Sequence, residues 1–168
     1  FRLLYALPSF IDTMDFPQCM TLSVSDLNSL LSTKSFEPIK NIFIVENEMV
    51  YLSFPNIPQA LCIWGHGYDV LRLKNCSVLK NKRLLYSGDI DEHGYDILSK
   101  FRIYFPQTES FCMDFDTYEF FKEFAVSTKI KLTGETIPKN LTKEELSVFQ
   151  YLSSNTEKNR LEQERFTQ

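Results

Sequence analysis

The stretch RLLYSGDIDEHGY, residues 83–95, decides the fold. Its apolar first half predicts a strand over Arg83–Ser87, and the turn that follows carries Asp89 and Asp91. An uninterrupted apolar run is typical of a strand that is buried on both faces of a parallel sheet. Helical periodicity then continues until Pro106 stops it. A strand, an acidic turn and a helix in this order indicate one unit of a parallel α/β sheet.

Three other segments have the composition of short strands. They are residues 41–45 (NIFIV), 60–64 (ALCIW) and 110–113 (SFCM). A connecting helix is predicted over residues 68–80. The sequence therefore predicts an α/β fold with a four-stranded parallel sheet flanked by helices.

Polar residues mark where several helices begin. Ser23 is predicted to cap a short helix, and Asp116 or Thr117 an aromatic helix through Phe124. Thr142, with Glu145 three residues on, has the spacing of a capping box. We divide the chain into a lead-in, residues 1–40, and a domain over residues 41–168 that ends in a helical tail. Because the first residue is not Met, we interpret the lead-in as the remnant of a longer chain.

Composition restricts the class of protein. The 168 residues carry a net charge of −4, which argues against binding nucleic acid through a broad basic surface. An enzyme that meets DNA through a metal ion remains possible, since the ion supplies local positive charge. The chain has no apolar run of membrane-spanning length and no leader-like start. Its four cysteines lack CxxC spacing, and we expect reduced thiols, with Cys19, Cys62 and Cys112 buried. These features favour a cytoplasmic protein.

Acidic residues follow three of the predicted strands. Glu46 ends the first, Asp89 and Asp91 end the third, and Asp114 ends the fourth. The carboxyl ends of parallel strands meet at one edge of a sheet, so these side chains are expected to converge. Crowded carboxylates are tolerated when a cation lies among them, and hard oxygen ligands suit Mg²⁺ or Mn²⁺. An isolated Asp-x-Asp is often only a turn and a helix cap, a role open to Asp91.

Several motifs together resemble a known family. IVEN at 44–47, WGHGY at 64–68 and GDIDEHGY at 88–95 look like the Toprim domain of topoisomerases, primases and repair nucleases. GDIDEHGYDIL, SFCMD and the terminal RLEQERF resemble more closely the nuclease subunit of the Wadjet anti-plasmid defence system, which is related to the cleaving subunit of topoisomerase VI. The resemblance covers residues 41–166.

The resemblance implies a function and a set of roles. It implies a Toprim catalytic domain that hydrolyses phosphodiester bonds of double-stranded plasmid DNA with Mg²⁺ or Mn²⁺. Glu46 and Asp89 would hold the ion, Asp91 would bind a second ion or tune the first, and Glu46 could also transfer a proton. A condensin-like motor complex and a homodimer are the implied partners. Tyr86 and Tyr95 flank the site, and we interpret both as packing residues.

Further candidates surround this site. His93, Glu162, Glu164 and Asp114 are candidates for supporting the metal ligands. The candidates for DNA contact are His66, Lys82, Arg83, Lys100 and Arg102. A solvated face is the alternative for the basic residues, and a solvated tail for Glu162 and Glu164. Gly65, Gly67 and Gly94 are expected to allow tight turns and close packing.

Two other functions remain open. One is a Toprim-like domain that only assembles with partners and has no catalytic activity. The other is a phosphatase of the Asp-x-Asp type. In haloacid-dehalogenase-type phosphatases the Asp-x-Asp follows the first strand, whereas here it follows the third.

Overall fold

A computed structural model of the chain describes residues 2–5, 19–128 and 137–167. Within these ranges six strands form one sheet in the order β2-β1-β4-β3-β5-β6. The strands are β1 (Arg2–Tyr5), β2 (Cys19–Thr21), β3 (Asn41–Val45), β4 (Ala60–Trp64), β5 (Arg83–Ser87) and β6 (Glu109–Ser110).

The centre of the sheet is parallel. β3 pairs in parallel with both β4 and β5, and β5 pairs in parallel with β6. This confirms the predicted α/β fold with a four-stranded parallel sheet, and the arrangement is consistent with a Toprim fold. The described residues before residue 41 extend the same sheet, because β1 pairs antiparallel with β4 and β2 with β1. The predicted domain boundary at residue 40 stays a prediction.

Helices cover the sheet, and polar residues at their first positions cap several of them, as the local sequence predicts. Ser23 accepts a hydrogen bond from the backbone N–H of Asp26, and Thr142 forms the predicted capping box with Glu145. The aromatic helix begins differently from the prediction, since its cap is Asp114 rather than Asp116 or Thr117. The α-helices are α1 (Val24–Leu31), α2 (Glu48–Leu52), α3 (Glu92–Arg102), α4 (Phe115–Phe121) and α5 (Lys143–Ser154).

The helix that we predicted to connect β4 and β5 is not one continuous α-helix. It consists of two 3₁₀ helices, Gly67–Asn75 and Ser77–Asn81. The buried side chains of this segment recur every third residue, which is the repeat of a 3₁₀ helix. They are Val70, Leu73, Cys76 and Leu79. Further 3₁₀ turns are Lys34–Phe36, Lys122–Phe124 and Gln163–Thr167.

The fourth parallel strand is shorter than predicted. β6 ends at Ser110, and Phe111 adds one more hydrogen bond, from its N–H to the carbonyl of Tyr86 at 3.0 Å. Cys112 then takes a left-handed φ of 51°, which turns the backbone out of the sheet. The same turn exposes the Cys112 thiol. Cys19 is also exposed, so the prediction of burial is right for Cys62 and wrong for these two.

The core lies between the sheet and the helices. Its main cluster joins the inward faces of β3, β4 and β5 to α3, whose Ile97, Leu98 and Phe101 are buried. A smaller cluster on the other face contains Val45, Tyr51 and Cys62. Among the described residues, no helix is both long enough and apolar enough to span a membrane.

Candidate metal centre at the carboxyl end of the sheet

The first and third parallel strands, β3 and β5, lie side by side at the point where the strand order reverses. β4 follows β3 in the chain and lies on one side of it, whereas β5 lies on the other. In open α/β sheets the crevice at such a point, beyond the carboxyl ends of the strands, is where ligands bind. Glu46 follows β3 directly, and Asp89 follows β5 by two residues. The topology therefore brings the predicted acids to the predicted edge.

Glu46 points toward the turn after β5. Its carboxylate accepts hydrogen bonds from the hydroxyl of Tyr86, at 3.3 Å, and from the backbone N–H of Asp89. A Cβ at position 88 would lie 2.6 Å from Glu46 Oε2, so Gly88 leaves the space that this carboxylate occupies. Burial, followed by the charges of Asp89 and Asp91, raises the pKa of Glu46 to about 7. Glu46 can therefore hold or release a proton near neutral pH.

Asp89 is held by the C-terminal part of the chain. Its Oδ1 accepts a hydrogen bond from the backbone N–H of Gln163 at 2.8 Å, and its Oδ2 one from Arg160 Nη2 at 3.0 Å. Burial raises the pKa of Asp89, the nearby charge of Asp91 raises it further, and the contacts with Gln163 and Arg160 offset this only in part. Asp89 thus shares with Glu46 an environment that disfavours two negative charges.

Asp91 acts both as a helix cap and as a member of the acidic cluster. It is only 4% exposed, and its Oδ1 accepts the backbone N–H of Gly94 at 2.8 Å, which caps α3. Its other oxygen lies 3.5 Å from Arg160 Nε. A Cβ on Gly94 would lie 2.1 Å from the carbonyl oxygen of Asp89, so only glycine lets α3 begin against this turn, as we predicted. The capping role therefore leaves Asp91 within the acidic cluster.

The C-terminal segment Arg160–Glu164, here called the strap, crosses the carboxyl end of the sheet. Leu161 pairs with Ile90 through two backbone hydrogen bonds of 2.9 and 3.1 Å. The side chain of Gln163, 1% exposed, accepts the N–H groups of Glu46 and Asn47 at 3.1 and 3.0 Å. It also donates to the carbonyl and hydroxyl oxygens of Ser87. Gln163 thereby ties the ends of β3 and β5 together.

Sequence reasoning missed the two residues of the strap that contact the site most directly. Arg160 and Gln163 lie in a polar stretch for which a solvated tail was one of the two interpretations. The signal that could have found them is Leu161, which is fully buried although its neighbours are polar. An apolar residue isolated in a polar segment indicates that the segment packs on the domain.

The other acidic candidates lie at different distances from the cluster. Glu162 Oε1 lies 3.5 Å from Arg160 Nη2, so it belongs to the same charge network. Glu164 accepts a hydrogen bond from Asn47 Nδ2 at 3.1 Å. Asp114 is exposed and caps α4 through the N–H of Thr117, so the structure gives it the helix-start role.

The two histidines occupy different surroundings. The Nε2 atom of His93 is buried and has no hydrogen-bond partner among the described residues, and its ring meets that of Tyr68 edge-on. His66 follows β4 with a left-handed φ of 53° and an exposed ring that lies 3.2 Å from Asp69 Oδ2. Gly67 also has a positive φ, of 60°, so the predicted tight turn is present.

The basic candidates do not gather at the acidic edge. Lys82 and Arg83 lie at the amino end of β5, whereas Asp89 follows its carboxyl end. Arg83 pairs there with Glu109. Arg102 faces the interior and binds Glu145 through both terminal nitrogens. Lys100 is partly exposed and pairs with Asp96 at 2.6 Å. Arg102 in particular is engaged in the fold, which leaves its guanidinium unable to face DNA in this conformation.

The donor chemistry of the cluster fits a hard divalent cation. Glu46, Asp89 and Asp91 supply carboxylate oxygens from two adjacent strand ends, and burial opposes the negative charges of Glu46 and Asp89. Among the described residues, no group of three or more acidic, histidine or cysteine side chains is arranged to hold a metal ion as it stands. Arg160 lies among these oxygens instead. The residues fit Mg²⁺ or Mn²⁺ by type and location, provided that the guanidinium of Arg160 moves away from Asp89 and Asp91.

Comparison with known proteins identifies the family. No curated protein matches the chain significantly. The sequence does match, over residues 11–168, the family described as "Wadjet protein JetD, C-terminal". This match includes the strap as well as both acidic turns. The chain belongs to the family of C-terminal regions of the Wadjet protein JetD, and thereby to the Wadjet anti-plasmid system.

Proposed function

We propose that this domain is a metal-dependent DNA endonuclease of the Toprim type that cuts plasmid DNA. The observation that carries the proposal is the convergence of Glu46, Asp89 and Asp91 at the switch point of the sheet, with the pKa of Glu46 raised to about 7. Acidic clusters whose pKa values are perturbed by burial and by like charges are typical of catalytic sites. Membership of the Wadjet anti-plasmid system supports plasmid DNA as the substrate class.

The side chains have different roles in the proposed reaction. Glu46, Asp89 and Asp91 would hold Mg²⁺ or Mn²⁺, which stabilises charge on the phosphate and makes water a better nucleophile. Glu46 is placed to exchange a proton near neutral pH, because its carboxylate is buried beside two other acids. The Gln163 side chain holds the backbone of Glu46 and Asn47, and its N–H holds Asp89, so the ligands keep their relative positions.

The surroundings of the domain are also part of the proposal. Membership of the Wadjet family implies a multi-subunit complex. Within it, we infer double-stranded DNA as the substrate, a condensin-like motor as the subunit complex that delivers it, and a homodimer that cuts both strands. A cytoplasmic location follows from these partners.

The proposal is tested by plasmid nicking in the presence of Mg²⁺ or Mn²⁺, with the chain in its Wadjet complex. Glu46→Gln and Asp89→Asn should each lower the cleavage rate by about a hundredfold or more, since each removes a charge from the centre that stabilises the reacting phosphate. Glu109→Gln is the matched control. It removes one carboxylate at the opposite end of β5 and should leave the rate unchanged.

Two results would reject the proposal. One is metal-dependent nicking that survives both substitutions in the cluster. The other is a complex that assembles and binds DNA but does not cut it with either ion. The second result would favour the alternative of a Toprim-like domain with a purely assembling role.

A further inference from the structure

Two carboxylates of the candidate metal centre, Asp89 and Asp91, share one arginine with the neighbouring Glu162. Arg160 Nη2 donates to Asp89 Oδ2 at 3.0 Å, and its Nε lies 3.5 Å from Asp91 Oδ2. The same Nη2 lies 3.5 Å from Glu162 Oε1. The guanidinium therefore occupies a position among the acidic oxygens where its positive charge reduces their repulsion.

The contacts of this arginine are incomplete. Arg160 Nε is buried, yet it forms no hydrogen bond within the described part of the chain. Two of the three ion-pair distances are 3.5 Å, longer than the usual 2.7–2.9 Å of a charge-assisted hydrogen bond. Glu46 receives no ion pair from Arg160, and its pKa stays high. A single planar +1 group balances the cluster only in part.

The strap holds the backbone of Arg160 while its side chain keeps access to solvent. Val126 and Arg160 pair through backbone hydrogen bonds of 2.8 and 3.1 Å, and the next residue, Leu161, pairs with Ile90. The Arg160 side chain is nevertheless 32% exposed. The guanidinium can thus swing away from the acids by side-chain rotation, without unfolding the strap.

We infer that Arg160 is an exchangeable counter-cation, which neutralises the Asp89–Asp91 pair in the metal-free protein and withdraws when a divalent ion binds there. The inference rests on the proposed function, because it takes the same carboxylates to be the metal ligands. A divalent ion attracts the proposed metal ligands more strongly than a guanidinium with a single positive charge does. The ion and the guanidinium cannot both bind the same oxygens of Asp89 and Asp91. Part of the binding energy of the metal is therefore used to break the Arg160 contacts, which lowers metal affinity.

The test compares Mn²⁺ binding to metal-free wild type and Arg160→Gln by calorimetry, at a pH well above 7 so that Glu46 is ionised. Arg160→Gln should bind Mn²⁺ about tenfold more tightly, which corresponds to about 1.4 kcal/mol. Arg165→Gln is the matched control. It removes the same charge from the adjacent 3₁₀ turn and should bind Mn²⁺ within about twofold of wild type, because Arg165 takes no part in the ion pairs of Asp89 and Asp91.

Thermal unfolding supplies a readout that does not involve catalysis. Without metal, Arg160→Gln should unfold at a lower temperature than wild type, because its acids lose their counter-charge. With saturating Mn²⁺ the difference should disappear or reverse. If Arg160→Gln does not fold, wild-type crystals soaked in Mn²⁺ decide the question, and Arg160 is expected to have left Asp89 in the metal-bound state.

The outcomes separate this inference from the proposed function. If wild type binds Mn²⁺ and Arg160→Gln binds it equally or more weakly, Arg160 supports the site instead of competing for it, and only the present inference fails. A soaked crystal in which Arg160 keeps its contact with Asp89 beside the ion has the same meaning. If neither protein binds millimolar Mn²⁺, the metal centre itself is wrong, and the proposed function fails with it.

Discussion

Glu145 and Glu46 are both largely buried glutamates, but their surroundings shift their pKa values in opposite directions. The Glu145 carboxylate accepts hydrogen bonds from both terminal nitrogens of Arg102, from the hydroxyl of Ser110 and from the backbone N–H of Thr142. Burial alone would raise its pKa, but these hydrogen bonds outweigh burial and lower it. Within the described part of the chain, the Glu46 carboxylate accepts hydrogen bonds only from the hydroxyl of Tyr86 and one backbone N–H, and burial raises its pKa to about 7.

The difference separates an acid whose charge is compensated within the fold from one whose charge is not. Every strong acceptor position of Glu145 has a partner, so nothing remains for a ligand. Glu46 lies beside two further acids that repel it, and such an arrangement costs stability unless something else binds. The comparison therefore indicates a structural role for Glu145 and supports the proposal that Glu46 belongs to a metal centre.

The largest expected effect is on the structural pair. Arg102→Met should lower the free energy of unfolding by about 3–5 kcal/mol, because it leaves the Glu145 carboxylate buried without its cation. The side chains of Arg102 and Glu145 are 9% and 6% exposed, so water cannot replace the lost partner. Urea denaturation at neutral pH measures the loss.

A second variant separates charge from packing. Combining Arg102→Met with Glu145→Gln should recover part of the loss, since no buried charge then remains. A loss of less than about 1 kcal/mol for Arg102→Met alone would remove the contrast with Glu46, because pairs of that strength are typical of exposed positions.

A smaller effect on stability is expected at Glu46 in the metal-free protein, where the pKa shift has the opposite direction to that of Glu145. Its pKa is raised from 4.5 to about 7, so the folded state prefers the neutral carboxyl. Below pH 4.5 folded and unfolded chains are both protonated there, and the full contribution to stability is present. That contribution is lost as the pH rises through the folded pKa of about 7. The shift sets an upper limit of about 3 kcal/mol, and we expect about 2 kcal/mol because the side chain is partly exposed.

Glu46→Gln makes this loss measurable. The variant keeps a neutral side chain at every pH, so wild type should become less stable relative to it as the pH increases across that range. Urea denaturation of both proteins over a pH series gives the difference. A difference that does not change with pH would mean that Glu46 titrates normally and that the cluster is not under electrostatic stress.

Much of the fold followed from the sequence because its signals are local. The apolar runs of β3, β4 and β5 and the caps at Ser23 and Thr142 depend on neighbouring residues only. The connection after β4 was mispredicted because apolar spacing fits both an α-helix and a 3₁₀ helix over a short segment. The end of β6 was mispredicted because it depends on a left-handed Cys112, which composition does not indicate.

The candidate site was predictable only in part, for the same reason. Glu46, Asp89 and Asp91 end strands, and strand ends converge by topology. Arg160 and Gln163 reach the cluster from more than 70 positions away in the chain, as the contacts of Asp89 show. Pairing between Ile90 and Leu161 carries them there, and no local periodicity encodes that pairing.

The smallest effect is expected at a third acid–arginine pair, which extends the comparison to the surface. Glu109 accepts two hydrogen bonds from Arg83, at 2.8 and 2.6 Å, as Glu145 does from Arg102, and these hydrogen bonds lower its pKa. Both side chains are more than half exposed. Water can therefore replace either partner, and Glu109→Gln should change the urea midpoint too little to resolve.

This third pair tests how strongly burial sets the size of the effect. Glu109 and Glu145 each accept two hydrogen bonds from one arginine, but the Glu145 pair is buried and the Glu109 pair is exposed. A large effect at the buried pair and none at the exposed one is therefore the result that burial predicts. Repeating the Glu109→Gln measurement at low salt should increase its effect slightly, because exposed charges are screened by ions. If Glu109→Gln destabilised the protein as much as Arg102→Met does, geometry and not burial would govern these pairs, and the electrostatic argument for Glu46 would lose its basis.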